Sequence, residues 1–170
     1  MAPFAGRNFW LMKAEPDSRI EKGVDVKFSI DDLIAATEPE PWTGVRNHEA
    51  KKNMQNMRKG DMAFFYHSSC KVPGVVGIME IVEEATPDKS AFDQNDPYYD
   101  AKSDPEHPKW FNVHVQFRQK LDHPELVTLT ELRKDSHYQK PLQDMELFAK
   151  SRLSVSKVTA KDWNHVLTLA

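Results

Sequence analysis

The chain reads as an α+β protein, a small curved or barrel-like mixed sheet flanked by short helices. Three observations predict it. Runs with strand character (NFWLMKAE, MAFFYHSS, VVGIMEIVEEA, WFNVHVQFRQ) are spread along the chain, with helical segments between and after them. The resulting order is strand, helix, helix, strands, loop, strand, helices, which lacks the regular alternation of a doubly wound sheet. At 170 residues with 39% hydrophobic content, one domain can bury a core without disulfide or metal staples. The expected division is a tail over 1–7 and a single domain over 8–170.

The elements follow in order. NFWLMKAE is a strand that Pro16 and Asp17 end. Ser29 with Asp32 three residues on forms a capping box with the shorter acid, so a short helix starts there. EPEPW is a stiff, proline-bearing connector. Ala50, Met54 and Met57 then share one helix face, with Lys51, Lys52 and Arg58 largely off it. RKGD is a turn, and MAFFYHSS and VVGIMEIVEEA are a strand pair linked through Cys70–Gly74. Residues 86–109 form a long loop whose FDQNDPYYD aromatics argue for packing. Val113, Val115 and Phe117 alternate with Asn112, His114 and Gln116, a half-buried strand. LTELRKD and DMELFAKS are short helices, and Thr159 caps a last one.

No run of 18 apolar residues occurs, and MAPFAGRNFW lacks the apolar region of a secretory signal, so a secreted or membrane protein is not expected. The single Cys70 excludes an intrachain disulfide and any zinc site needing two cysteines, and it fits a reducing compartment. Net charge is −3, but its distribution is uneven. From Gly44 to Lys71, Arg46, Lys51, Lys52, Arg58, Lys59 and Lys71 face only Glu49 and Asp61. From Glu80 to Glu106, acids outnumber Lys89 and Lys102 by nine to two. A basic segment in an acidic chain can meet phosphates, though with little long-range steering. Two solvated faces would give the same pattern.

Several chemistries fail on the residues. His67 and Ser68 are strand neighbours on opposite faces and cannot form a nucleophile–base pair, and no GxSxG elbow exists. Among His48, His67, His107, His114, His123, His137 and His165 no two stand at i,i+4, and HExxH is missing. A zinc deaminase needs a PCxxC that one cysteine cannot supply. Neither GxGxxG nor GxxxxGK[ST] is present. What survives is a pocket for something flat and polar. WTGVRN and FYHSS each bring aromatic and polar residues together, as a base held by stacking and edge hydrogen bonds requires. Arg46, Lys51 and Lys52 could meet phosphate. Asn47 serves equally as a helix N-cap, and Trp42 equally as core.

The blocks FWLMKAEP, WTGVRNHEA, FFYHSSCKVPGVVGI, FDQNDPYYD, Trp110 with NVHVQF, and SRLSV resemble the EVE domain family over nearly the whole chain from Asn8. The resemblance implies a PUA-like barrel, similar in architecture to YTH readers of methylated adenine, and binding of a modified base without catalysis. The leading ligand it implies is 5-methylcytosine or 5-hydroxymethylcytosine in DNA, flipped into the pocket, ahead of modified RNA. It carries the base pocket onto Lys13, Ala14, Glu15, Trp42, Arg46, Asn47, Tyr66, His67, Ser68, Ser151 and Arg152. Lys51, Lys52, Arg58 and Lys71 are the expected phosphate contacts. Family members often carry Ser where this chain has Ala14, which removes one hydroxyl from the pocket. No cofactor, metal or membrane is implied; the expected state is a monomer in the nucleus, with the cytoplasm open.

Within FFYHSS, Phe64, Tyr66 and Ser68 share one face and Phe65, His67 and Ser69 the other. A bend at the strand end is expected to bring both Tyr66 and His67 to the pocket edge. Two other readings remain: a nucleic-acid-processing enzyme using Glu15, Asp61 or His67 as acid or base, and a protein-interaction module using the acidic 80–106 segment.

Overall fold

The structure, a computed structural model, describes residues 6–122 and 126–170. Most of the expected 1–7 tail and His123 lie outside those residues. Strand β1 spans Phe9–Ala14, followed by a hairpin of β2 (Ile20–Glu21) and β3 (Val24–Asp25). Helix α1 covers Ile30–Ala35, β4 is Glu40–Pro41, and α2 covers His48–Asn56. The long pair β5 (Met62–His67) and β6 (Gly74–Pro87) comes next. After a 3-10 turn at Lys89–Phe92, β7 runs Phe111–Lys120, then β8 Val127–Thr128 and α3 Leu129–Lys134. Helix α4 (Glu146–Ala149), β9 (Val155–Val158) and α5 (Ala160–Leu169) close the chain.

Seven strands form one mixed sheet in the order β4-β7-β6-β5-β1-β9, with β8 on β6. Strand β1 is parallel to β5, and the other pairs are antiparallel. The hydrogen-bonded path is open: β4 and β9 are its ends, and no ladder among the described residues joins them into a closed barrel. Pro41 sits on the outermost strand, where a missing N–H interrupts no central ladder.

The central strands are apolar on both faces because both faces are covered. Trp10 and Met12 of β1, with Ala63 and Phe65 of β5, join a core with Ile30 and Leu33 of α1 and Ala50 and Met54 of α2. The alternate residues Phe9, Leu11, Phe64 and Tyr66 join a second core with Leu132, Leu147, Trp163 and Val166 of α3, α4 and α5. Trp163, fully buried, stacks on Phe64 at 3.8 Å and on Phe9 at 4.6 Å. Period-two alternation therefore sorts one strand into two cores.

The caps explain where the helices begin. Ser29 and Asp32 form the reciprocal capping box of α1, and Thr128 with Glu131 does the same for α3. Thr159 accepts from the Asp162 N–H at the start of α5. Strand β6 runs on to Pro87, two residues into the expected loop, and the rest of that loop is ordered by buried Asp88, whose carboxylate accepts from Gly44 N, Arg46 Nη1, Ser90 N and Ser90 Oγ.

Candidate functional site

Parallel pairing aligns β1 and β5 so that both end on the same side, Ala14 beside His67. Beyond those ends the sheet gives way to loops, and a cleft of about 970 Å³ opens there. Its walls include Lys13, Ala14 and Glu15 from the end of β1 and Tyr66, Ser68, Ser69 and Cys70 from the end of β5. Phe28, Trp42, Arg46 and Tyr98 line another side, and Ser151, Arg152 and Ser154 close from the C-terminal region. Nine of the eleven expected pocket residues thus line one cavity.

Trp42 is only 8% exposed. Its ring meets Phe65 edge-on at 5.5 Å and Phe28 at 5.8 Å, so it is both core and cleft wall. Lys13 donates from Nζ to the Ser151 carbonyl at 2.9 Å and lies 6.0 Å from the Tyr66 ring centroid. Burial pulls its ammonium below the ordinary lysine range, while an ammonium has three donors and this one uses a single acceptor among the described residues. Burial pushes the Tyr66 hydroxyl up to about 12, so it stays a neutral donor and acceptor at pH 7. Glu40 also lines the cleft, and burial raises its carboxyl. Neither Tyr66 Oη nor the Glu40 carboxyl hydrogen-bonds another described residue. The cleft therefore presents polar handles of several kinds beside an aromatic wall.

Other expected residues have different duties. Arg46 lines the cleft, but its guanidinium is fully engaged: Nε and Nη2 donate to the Tyr98 carbonyl, Nη2 to Ser90 Oγ, and Nη1 to Asp88 Oδ2 and the Val45 carbonyl. All five N–H donors are used, on four acceptor atoms, so Arg46 positions the Tyr98 loop and has none left for phosphate. Ala14 offers its carbonyl, which already accepts from Ser68 N at 2.9 Å. Glu15 pairs with Arg19 Nε at 2.9 Å.

Asn47 and His67 do not line the cleft. The Asn47 side chain caps α2 by accepting from Ala50 N at 2.9 Å. The register shifts between Phe65 and Tyr66, yet His67 still turns to the α1 side of the sheet. There its Nε2 accepts from Ile30 N–H at 3.1 Å, and burial holds its pKa below the ordinary histidine value. A capping role thus takes both side chains.

The basic residues also separate. Lys71 is exposed on the Cys70–Pro73 turn at the cleft lip. Lys51 lies 5.4 Å from the Trp110 ring, and Lys52 is exposed on α2. Arg58 precedes β5, roughly 20 Å of strand from the cleft, and donates to the Gln55 and Met57 carbonyls. It is not placed to hold the backbone of a nucleotide seated in the cleft.

The candidate acid–base residues are likewise committed to structure. Asp61, 4% exposed at the start of β5, accepts from Trp10 Nε1, Asn8 N and Arg58 N. Among the described residues, no group of three His, Cys, Asp or Glu side chains could hold a metal ion, and no helix is long and apolar enough to cross a membrane.

Sequence reading missed Phe28, Arg19 and Tyr98 as cleft residues. Gly44 explains Tyr98: its φ is +84°, and a Cβ there would stand 2.6 Å from the Tyr98 ring. A glycine before Val-Arg, with an aromatic-rich loop later in the chain, was the available signal.

A family model for the EVE domain matches residues 8–169. The chain belongs to the EVE domain family. It is 46% identical over 167 residues to thymocyte nuclear protein 1 of Rattus norvegicus, covering 95% of this chain and 73% of that one. An uncharacterised protein of Schizosaccharomyces pombe is 45% identical over 168 residues, covering 96% and 69% of the two chains. Among solved structures, human THYN1 protein in complex with 5-methylcytosine-containing DNA superposes with a TM-score of 0.91 at 46% identity, covering 95% of this chain and 96% of that one. The YTH domain of Zygosaccharomyces rouxii MRB1 protein matches at TM-score 0.51 and 13% identity, covering 97% and 87%, which shows a shared fold.

Proposed function

We propose that this EVE domain is a reader of modified cytosine in DNA, taking one extruded base into the cleft at the ends of β1 and β5. The observation that carries the reading is the cleft itself: the aromatic wall of Phe28, Trp42 and Tyr98 stands beside the incompletely paired Lys13, Tyr66 and Glu40. A flat ligand with a polar edge satisfies both. The relative described in complex with 5-methylcytosine-containing DNA shares nearly the whole fold at 46% identity, which directs the choice of base. In this reading Lys13, Tyr66 and Glu40 meet the base edge, and Lys71 and Arg152 at the lip meet phosphates.

Binding rather than turnover is supported by the partners that Glu15, Asp61 and His67 each hold in the fold. The protein acts as a monomer without a cofactor, and the nucleus is the compartment that the relatives' name carries. Extruding a base costs a few kcal/mol, so affinity is modest and salt-dependent.

Fluorescence anisotropy at low salt tests this, with matched DNA duplexes carrying cytosine, 5-methylcytosine, 5-hydroxymethylcytosine or N6-methyladenine, and RNA counterparts. The reading requires tighter binding to a modified cytosine than to cytosine, reduced in Lys13→Met. Equal binding to every probe, fading together with salt, overturns it and leaves a general phosphate-binding surface.

A further inference from the structure

Five large hydrophobic side chains are conspicuously exposed among the described residues, and three of them, Ile20, Val24 and Val72, belong to segments that border the cleft. Ile20 and Val24, 63% and 45% exposed, sit on the β2–β3 hairpin, and Val24 itself lines the cavity. The hairpin is a short, constrained projection. Lys22 and Gly23 at its tip have φ of +50° and +76°, as a two-residue type I′ turn requires. Its base is tied by the Asp25 carboxylate, which accepts from Ser18 Oγ, Arg19 N and Lys27 N. Its tip leans on the opposite loop, where Lys22 Nζ reaches the Asp96 carbonyl at 3.4 Å and lies 5.5 Å from the Tyr99 ring centroid.

We infer that the Ile20–Asp25 hairpin is a wedge that enters a nucleic-acid duplex and fills the space left by the base in the cleft. This rests on the proposed reading of the cleft. A base held in a pocket leaves a gap in the stack, and proteins that open or kink duplexes insert apolar side chains between base steps. The hairpin has what that needs: apolar groups exposed among the described residues, side-chain ties at base and tip, and a position on the cleft rim. Glu21 is paired with Arg19 and Asp25 with its own loop, whereas Lys22 meets no carboxylate among the described residues. The tip therefore brings a positive charge toward phosphates. β-branched residues also favour extended backbone, which would account for Ile20 and Val24 without any ligand. The experiment separates the two accounts.

Two single variants are compared with the parent: Ile20→Ala, and Ile20→Thr, which keeps β-branching; Val24 is left intact because it lines the cavity. Each is titrated against one 5-methylcytosine oligonucleotide as a duplex and as a single strand, with 2-aminopurine placed next to the modified base. A wedge matters only where a stack must be opened. Both variants should therefore lose about tenfold in duplex affinity, on the scale of a lost unstacking contribution, while single-strand binding stays within about twofold. The parent should raise 2-aminopurine fluorescence in the duplex, and the variants should not. Unchanged duplex binding and fluorescence in both variants overturns the wedge while leaving the reader reading intact. Equal losses on duplex and single strand also overturn it, and make the hairpin part of the pocket. A parent that binds neither form overturns the reader reading itself, and the wedge with it.

Discussion

Arg46 offers the sharpest test of how the cleft is held open. Replacing it with Gln removes the cation beside Asp88, whose side chain is fully buried, while Arg46 itself is 23% exposed. Breaking a buried ion pair by removing one partner costs about 3–5 kcal/mol. Here the lower end applies. Asp88 keeps hydrogen bonds from Gly44 N, Ser90 N and Ser90 Oγ, and the partial exposure of Arg46 lets water approach. The expected loss is about 3 kcal/mol, read by urea unfolding followed through tryptophan fluorescence at pH 7. Arg46→Lys should recover only part of it, because an ammonium cannot serve the Tyr98 carbonyl, Ser90 Oγ and Asp88 from one plane. Affinity for modified DNA should fall in both variants through misplacement of Tyr98. A loss under about 1 kcal/mol in Arg46→Gln, with affinity lost in full, would refute this reasoning and make Arg46 a direct ligand contact.

Other expectations follow from the same geometry. Gly44→Ala places a Cβ against the Tyr98 ring and forces a left-handed alanine, so thermal unfolding should report a loss above about 1 kcal/mol; an unchanged midpoint would contradict the close packing. Trp42→Ala should destabilise by about 3–5 kcal/mol in urea, because the indole is core as well as wall. His67 has a folded pKa below its ordinary 6.5, so the unfolded chain binds its proton more readily. The stability it contributes is present above pH 6.5 and declines as pH falls through the folded value, when a protonated Nε2 can no longer accept from Ile30 N–H. Urea midpoints between pH 7 and 5 should show that decline in the parent and a shallower one in His67→Gln. Identical profiles would remove His67 from the account.

Much of the fold was legible because its signals are local. Ser29 with Asp32 announces α1, and the spacing of Ala50, Met54 and Met57 announces the buried face of α2. Strands β1 and β5 were recognisable as apolar runs, but one-dimensional alternation does not say that both faces are covered. Phe64 and Phe65 therefore enter different cores. The β2–β3 hairpin escaped notice because two-residue strands carry no period, and its signal was the Lys22-Gly23 turn. At the site, nine of the expected residues meet around the cleft at the ends of β1 and β5. Availability was not legible. Arg46, Asn47 and His67 have the chemistry of ligand contacts, but Asp88, the Ala50 N–H and the Ile30 N–H occupy them. Those partners lie three to 42 residues away and appear only once the chain is folded.

The central claim is that the cleft at the ends of β1 and β5 receives the modified base. Amide chemical-shift mapping on the isotope-labelled protein, titrated with a short 5-methylcytosine strand and its unmodified twin, tests it most directly. The account predicts shifts concentrated at Ala14, Glu15, Ser68, Ser69 and Tyr98, larger for the methylated strand. Shifts confined to Lys52, Arg58 and the far end of the sheet, equal for both strands, would contradict it.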